Sequence, residues 1–379
     1  MKKATKDNSS TGPLSNLKVV EFAGVGPAPL GAMMLADLGA TVLRIDRTEE
    51  SGLGLGRPPE FDFALRGRNS VKLNLKDSDD VTIAADLVGR ADVLIEGFRP
   101  GVMERLGLGP EVCMARNPKL IFARMTGWGQ DGPLANVAGH DLNYIAITGA
   151  LSMIGRQNQS PTPPLNLVGD FGGGTMPMVI GILAALNDVN RSGKGQVIDA
   201  SIVDGTLCLL GMFFGMRAEG HWNLERGTNI LDSGAPFYDV YPCADGLHIA
   251  LAAIEDKFFA LFLKVAELPE DLIDLKSDRA RWPELRSAIS DLFVQKNRDE
   301  WSAIFDGTDA CVSPVLTMDE ALEHSHLVDR GAFVEIDGLS QPSPVPRFSR
   351  SKLSISQPAG KPDAHTKEEV LRWWSGLNS

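Results

Sequence analysis

The sequence predicts an α/β protein, a large Rossmann-like domain with a parallel sheet joined to a smaller α+β domain. Three observations lead there. Short apolar runs of strand length alternate with helical patterns between residues 17 and 200, and parallel strands need such crossovers. After residue 217 the pattern changes to strand, turn, strand and then a run of helices. The length of 379 residues also fits about two domains.

Residues 17–22 read as the first strand, built around Val19, Val20 and Phe22. The turn Gly24-Val25-Gly26-Pro27-Ala28-Pro29-Leu30-Gly31 ends it and opens an apolar helix at 30–38. Further strands fall at 41–46, 70–75, 92–96, 120–125 and 196–200, with helices at 79–90 and 175–189. Beyond 217, residues 236–241 and 247–251 flank the turn Cys243-Ala244-Asp245-Gly246 as a strand pair. Helices follow at 256–267, 281–294 and 299–306. Residues 341–346 carry three prolines and read as linker, before a final helix at 366–374. The expected organisation is a flexible tail over 1–12, a large domain over 13–217 and a small domain over 218–339.

Composition narrows the function classes. Hydrophobic residues at 43% and charged residues at 23% describe a globular chain. No run of 18 apolar residues is evident, so no membrane span is expected. The start carries Lys2, Lys3 and Lys6 with no apolar run behind them, which favours a tail over a signal peptide and a cytoplasmic location. A net charge of −12 argues against a broad nucleic-acid surface. Cys113, Cys208, Cys243 and Cys311 lack CxxC spacing, so neither a metal site nor a disulfide framework is expected; they read as buried thiols.

The Gly24–Gly31 turn sits where a strand feeds a helix, the usual place for phosphate capture. Its spacing is not GxGxxG, and its prolines remove backbone donors, so it reads as a tight turn, structural or open to a ligand. Arginines gather near strand ends: Arg44 and Arg47, Arg66 and Arg68, and Arg99 in Glu96-Gly97-Phe98-Arg99-Pro100-Gly101. Any one of them fits a solvated rim equally well. As a group on an acidic protein they favour a phosphorylated ligand.

Two residues stand out as acid–base candidates. His140 lies in Gly139-His140-Asp141-Leu142-Asn143-Tyr144, where the local sequence fits a structural histidine as well as a catalytic one. Asp170 lies in Asn166-Leu167-Val168-Gly169-Asp170-Phe171-Gly172-Gly173-Gly174, between an apolar pair and a triple glycine. Burial there raises a carboxyl pKa and a following helix start lowers it; a plain N-cap is the other reading. The N–H groups of Gly172 and Gly173 are candidate donors to a developing enolate oxygen. Glu255 reads locally as a helix cap.

Taken together, Leu14 to Asp46, Glu96–Gly101, Met125-Thr126-Gly127-Trp128-Gly129-Gln130-Asp131-Gly132-Pro133, the His140 and Asp170 segments, Gly193-Lys194-Gly195-Gln196-Val197-Ile198-Asp199-Ala200, Gly227–Asp232 and Asp309–Leu316 resemble the class III CoA-transferase superfamily. Within it they look most like the 2-methylacyl-CoA racemase branch, over about residues 13–350. The resemblance implies an interlocked homodimer whose large domain is completed by residues 340–379, with the active site between the large domain of one subunit and the small domain of the other. It implies His140 and Asp170 as two bases, with Glu255 hydrogen-bonded to the histidine. It also implies CoA on the large domain, with Val25, Arg47, Arg66, Arg68, Gly97 and Arg99 as its contacts.

The activity so implied is interconversion of (2R)- and (2S)-2-methylacyl-CoA thioesters by 1,1-proton transfer through an enolate. No cofactor is expected, CoA being part of the substrate. The alternative is a class III CoA-transferase that uses Asp170 as a nucleophile; relatives of that kind generally lack a histidine at the position of His140. The methionines Met176, Met178, Met212 and Met216 read either as core or as a surface for the acyl chain.

Overall fold

The computed structural model describes residues 12–49, 52, 54–360 and 365–376. Residues 1–11 of the expected tail lie outside the described residues. Gly12, the last of that tail, is packed: its carbonyl accepts the Ser15 N–H at 3.1 Å, and a Cβ there would meet the Leu38 carbonyl oxygen at 2.1 Å.

The chain forms two compact units. The first comprises Met1–Thr148, Leu165–Leu210 and Ser325–Ser379; the second comprises Gly149–Pro164 and Gly211–His324. Residues 149–164 and 211–217 thus fall in the second unit and 325–339 in the first, beside expected limits at 217 and 339.

The first unit holds a six-stranded sheet of β1 (Lys18–Phe22), β2 (Thr41–Asp46), β3 (Arg68–Lys72), β4 (Val93–Glu96), β5 (Ile121–Thr126) and β6 (Val197–Ser201). All pairs are parallel, in the order β3-β2-β1-β4-β5-β6. Both faces are covered, which is why the strands are continuously apolar rather than alternating. Val19, Val42, Ile121 and Ala123 meet the helices Pro27–Asp37 and Met176–Ser192 on one face. Val20, Phe22, Leu43 and Phe122 meet Ser78–Gly89 and Trp374 of the last helix, Lys367–Gly376, on the other.

Strand order reverses at β1, which pairs with β2 on one side and β4 on the other. The loops leaving the carboxyl ends of β1 and β4 therefore diverge, and ligands of open α/β sheets bind in the crevice so formed. Val25 and Gly97 lie in those two loops.

Three expectations are corrected here. Strand β3 begins at Arg68 rather than 70, because its first residues, including buried Arg68, find internal partners. Gln341 and Pro342, expected as linker, belong to a hairpin of Phe333–Ile336 with Leu339–Pro342. The run Leu167–Ser192, of mean hydropathy 1.4, is long and apolar enough to cross a membrane by length and composition. In the structure Met178, Val179, Ile182 and Ala185 of that run are buried in the sheet's core.

The second unit has a three-stranded antiparallel sheet of β7 (Tyr238–Pro242), β8 (His248–Ala252) and β9 (Val312–Pro314). Helices Asp256–Val265, Trp282–Phe293 and Arg298–Phe305 share with it a core rich in aromatic rings, including Phe237, Phe259, Phe262, Phe293 and Trp301. Phe259, Phe262 and Leu263, spaced three and four apart, form the buried stripe of the first of these helices.

Candidate active site

His140 heads the helix Asp141–Ile147 in extended conformation, with φ −131 and ψ 172. Its N–H donates to Asn143 Oδ1 at 3.1 Å, which ends the chain's extended approach and starts the helix. The side chain is exposed. One turn on, the Tyr144 hydroxyl donates to the Gly139 carbonyl, and its ring meets Trp128 edge-on at 4.7 Å between centroids. Added Cβ atoms at Gly127 and Gly139 would lie 2.0 Å and 2.8 Å from the Tyr144 ring. Those glycines therefore let the loop close around Tyr144 and fix the entry to His140.

Asp170 sits in a π-helical turn, Leu167–Thr175, a rare geometry that often marks functional sites. Thr175 Oγ1 donates to the Pro27 carbonyl at 2.9 Å and to the Asp170 carbonyl at 3.2 Å, tying the turn to the start of the first helix. Asn166 Nδ2 donates to Asp170 Oδ2 at 3.3 Å. The carboxylate lies against Gly26, where φ is 71 and a Cβ would approach Asp170 Oδ2 to 3.2 Å. The Gly24–Gly31 turn is thus open to a reacting group, and its positive φ explains Gly26.

Burial pushes the Asp170 carboxyl above the ordinary carboxylate range. The Asn166 bond opposes this, the charge of Asp141 adds to it, and His140 pulls it down. His140 and Asp170 are therefore electrostatic neighbours within one unit. The Tyr144 hydroxyl is also pushed up, by burial and then by Asp170, while Arg99 opposes the shift. Arg99 thereby joins the same neighbourhood.

The triple glycine has a packing cause. Cβ atoms at Gly173 and Gly205 would lie 2.5 Å from Thr206 Oγ1 and 1.7 Å from the Gly173 carbonyl oxygen, so the helix Ile202–Leu209 rests directly on the turn's backbone. Gly173 is buried there and Gly172 is half-buried.

The four arginines expected to contact CoA divide into two pairs, while Arg44 bonds Asp46 at 2.9 Å. Arg66 is 2% exposed, and its guanidinium bridges Asp37 at 2.6 Å and bonds Gln341 Oε1 and the Pro342 carbonyl. Arg68 is buried against Glu21 at 3.0 Å and the Pro29, Ala64 and Arg66 carbonyls. Both precede or begin β3 at its amino end, and their forks are occupied internally, so their expected CoA contacts become structural ones. Arg47 and Arg99 instead follow the carboxyl ends of β2 and β4 and are exposed, the Arg47 guanidinium lying 5.6 Å from the centre of the Phe98 ring. The Gly97–Arg99 loop is held by Glu96, which accepts Phe98 N–H at 2.7 Å and Arg124 Nε at 3.0 Å. Burial lifts the Glu96 carboxyl to about 7 against those two partners.

Glu255 is exposed and is the N-cap residue of Asp256–Val265 in the second unit. Met178 is buried in the first unit's core, whereas Met176 is 39% and Met212 55% exposed. Cys113 and Cys243 are buried as expected; Cys208 is exposed and Cys311 half-buried, which corrects their reading as buried thiols. Among the described residues no group of three or more His, Cys, Asp or Glu is arranged to hold a metal ion. Asp141, Tyr144, Asn166 and Thr175 join the site only in the folded chain. Only Asp141 carried a signal, a carboxylate directly after His140 in an apolar segment.

Residues 14–366 match the family described as CoA-transferase family III. A protein of Mus musculus named alpha-methylacyl-CoA racemase is 47% identical over 364 residues, covering 95% of this chain and 92% of its own. Its Homo sapiens namesake is 43% identical over 347 residues, 89% of each chain. Among solved structures, a CAIB/BAIF family protein from Brucella suis shares the fold with a TM-score of 0.82 at 24% identity, over 96% of this chain and 99% of that one.

Proposed function

The chain belongs to CoA-transferase family III, and from that premise we propose that it is a racemase interconverting (2R)- and (2S)-2-methylacyl-CoA thioesters by 1,1-proton transfer. What carries this reading is that His140 is an electrostatic neighbour of a carboxyl, Asp170, whose affinity for a proton is raised by burial. A racemase needs one group to take the α-proton and another to return it on the opposite face. Neutral His140 takes the proton of the (2S) substrate while protonated Asp170 delivers to the other face, and the roles reverse for (2R). Positioned acid–base groups contribute about 10²- to 10⁴-fold each.

The thioester itself makes the α-carbon acidic by delocalising charge onto its oxygen, so the reading calls for no metal, flavin or nicotinamide. The CoA moiety enters the crevice between the β1 and β4 loops, passing Val25 and Gly97, with Arg47 and Arg99 on its phosphates. In the proposed homodimer, Glu255 from the small domain of the other subunit bonds one nitrogen of His140 and raises the basicity of the other.

The test is proton NMR of (2S)-2-methylacyl-CoA with the enzyme in heavy water. Collapse of the methyl doublet with both epimers appearing is the expected result. The family's name keeps a transferase as the second reading, so a parallel tube holds a free carboxylic acid. An intact α-hydrogen with CoA moving to that acid would make Asp170 a nucleophile and overturn the racemase.

A further inference from the structure

We propose that Asp141 is the positioning residue that holds the two bases in register across the substrate's α-carbon, a role that rests on the racemase reading above. Asp141 belongs to both halves of the site. It is the first residue of the helix that His140 heads, and its Oδ1 accepts the Asp170 N–H at 2.7 Å. The backbone of Gly169 also holds the proton affinity of the same carboxyl down. One side chain therefore joins the backbone of one base to the helix bearing the other.

The surroundings show that this link is built in. Asp141 is 9% exposed, and the hydrogen bond its carboxylate accepts comes from the Asp170 backbone amide rather than from a cation. Burying a carboxylate is costly unless it is well bonded, and burial pushes this carboxyl up while the two amides hold it down. A carboxylate serving its own helix would bond the amides of that helix's first turn; this one reaches out to the neighbouring turn. Gly169 makes the reach possible, since a Cβ there would lie 2.3 Å from Asp141 Oδ1 and 2.8 Å from Ile145 Cγ2. A π turn is wider and less regular than an α turn, so an external clamp on its Asp170 amide sets where the carboxyl points.

Among the described residues, the charged groups facing Asp170 are few. Asp141 and Tyr144 come from the helix Asp141–Ile147 and His140 from the residue that heads it, with Arg99 acting on Tyr144 from the β4 loop. On the first helix the nearest acid, Asp37, is paired with Arg66 at its far end. On the helix Ile202–Leu209, Asp204 accepts from Ser201 Oγ at 2.6 Å.

Asp141→Ala and Asp141→Asn in the full-length protein test this, with (2S)-2-methylacyl-CoA in heavy water and two readouts: deuterium entry at the α-carbon and inversion to (2R). Exchange from the (2S) side needs His140 alone, whereas inversion also needs Asp170 in place. Asp141→Ala is expected to keep exchanging while inversion falls about 100-fold relative to exchange, the cost of a misplacement of about 1 Å. Asp141→Asn retains an acceptor oxygen and restores most of the ratio. Loss of its negative charge also lowers the Asp170 pKa, so the pH limb set by Asp170 moves to lower pH. If Asp141→Ala keeps the wild-type ratio, or both variants lose exchange and inversion in equal proportion, the positioning role is overturned while the racemase stands. Wild-type protein that neither exchanges nor inverts overturns both.

Discussion

Replacing Gly205 with alanine asks whether the turn that carries Asp170 is set by backbone contact. Gly205 lies in the helix Ile202–Leu209, where an added Cβ would sit 1.7 Å from the Gly173 carbonyl oxygen and 2.9 Å from Pro177 Cγ. An ordinary contact is about 3.5 Å, so helix and turn must separate by about 1.8 Å. The nearest partner is backbone, which no rotamer change relieves. Overpacking of this kind costs about 1–3 kcal/mol, and this overlap belongs at the upper end. Alanine's better helix propensity returns about 1 kcal/mol, leaving a net loss of about 2 kcal/mol. Displacing the Asp170 backbone by about 1 Å or more should lower epimerisation at least 100-fold. Urea unfolding followed by circular dichroism, with the epimerisation rate measured in parallel, reads both effects. Gly89→Ala is the control: its Cβ would have Arg116 Cβ as nearest neighbour at 3.9 Å, and a stability gain of about 0.5–1 kcal/mol is expected. A Gly205→Ala protein with wild-type midpoint and rate would refute the claim that this contact places Asp170.

The arginine pairs should separate by assay. Arg66→Ala removes one partner of a buried ion pair and should cost about 3–5 kcal/mol of stability. Arg99→Ala should leave the unfolding midpoint unchanged and weaken CoA-thioester binding about 10- to 100-fold, the worth of a charge-assisted hydrogen bond; calorimetric titration of both variants distinguishes the roles. Asp170→Asn tests the raised carboxyl by stability. A carboxyl whose folded pKa lies above its ordinary 3.8 favours the folded state while protonated, and that advantage is lost as pH rises through the folded value. Asp170→Asn should therefore be more stable than wild type at pH 7 and should lose less stability between pH 4 and 7, as thermal melts across that range would reveal; a wild-type pH profile in the variant would remove Asp170 as a buried, proton-holding group.

The alternation of apolar strand runs with helical stretches determined the Rossmann-like first unit, because each element's period and length reflect which faces it must bury. Residues 41–46 coincide with β2, and the neighbouring strands differ by a residue or two. The largest shift is in β3, whose opening Arg68 reads as polar loop until Glu21, 47 positions earlier, is seen to neutralise it. The hairpin at 333–342 and the short helices at 141–147 and 202–218 escaped because brief elements owe their stability to packing rather than to local pattern.

The site was legible in the same unequal way. His140 and Asp170 stood out because glycine-rich contexts mark backbone that must approach something closely. Which arginines are free was beyond the sequence: Arg66 meets Asp37 and Gln341, 29 and 275 positions away, and only the folded chain shows its fork already filled. Asp141 likewise reads as an ordinary helix start until the π turn, 29 positions on, brings the Asp170 amide to its carboxylate. Residue types and their periodicity determined the architecture and marked His140 and Asp170 as acid–base candidates. Which polar groups satisfy one another inside, and which are left facing the crevice, was decided only by tertiary structure, because a hydrogen bond depends on distances of a few ångströms between residues that sequence spacing leaves unrelated.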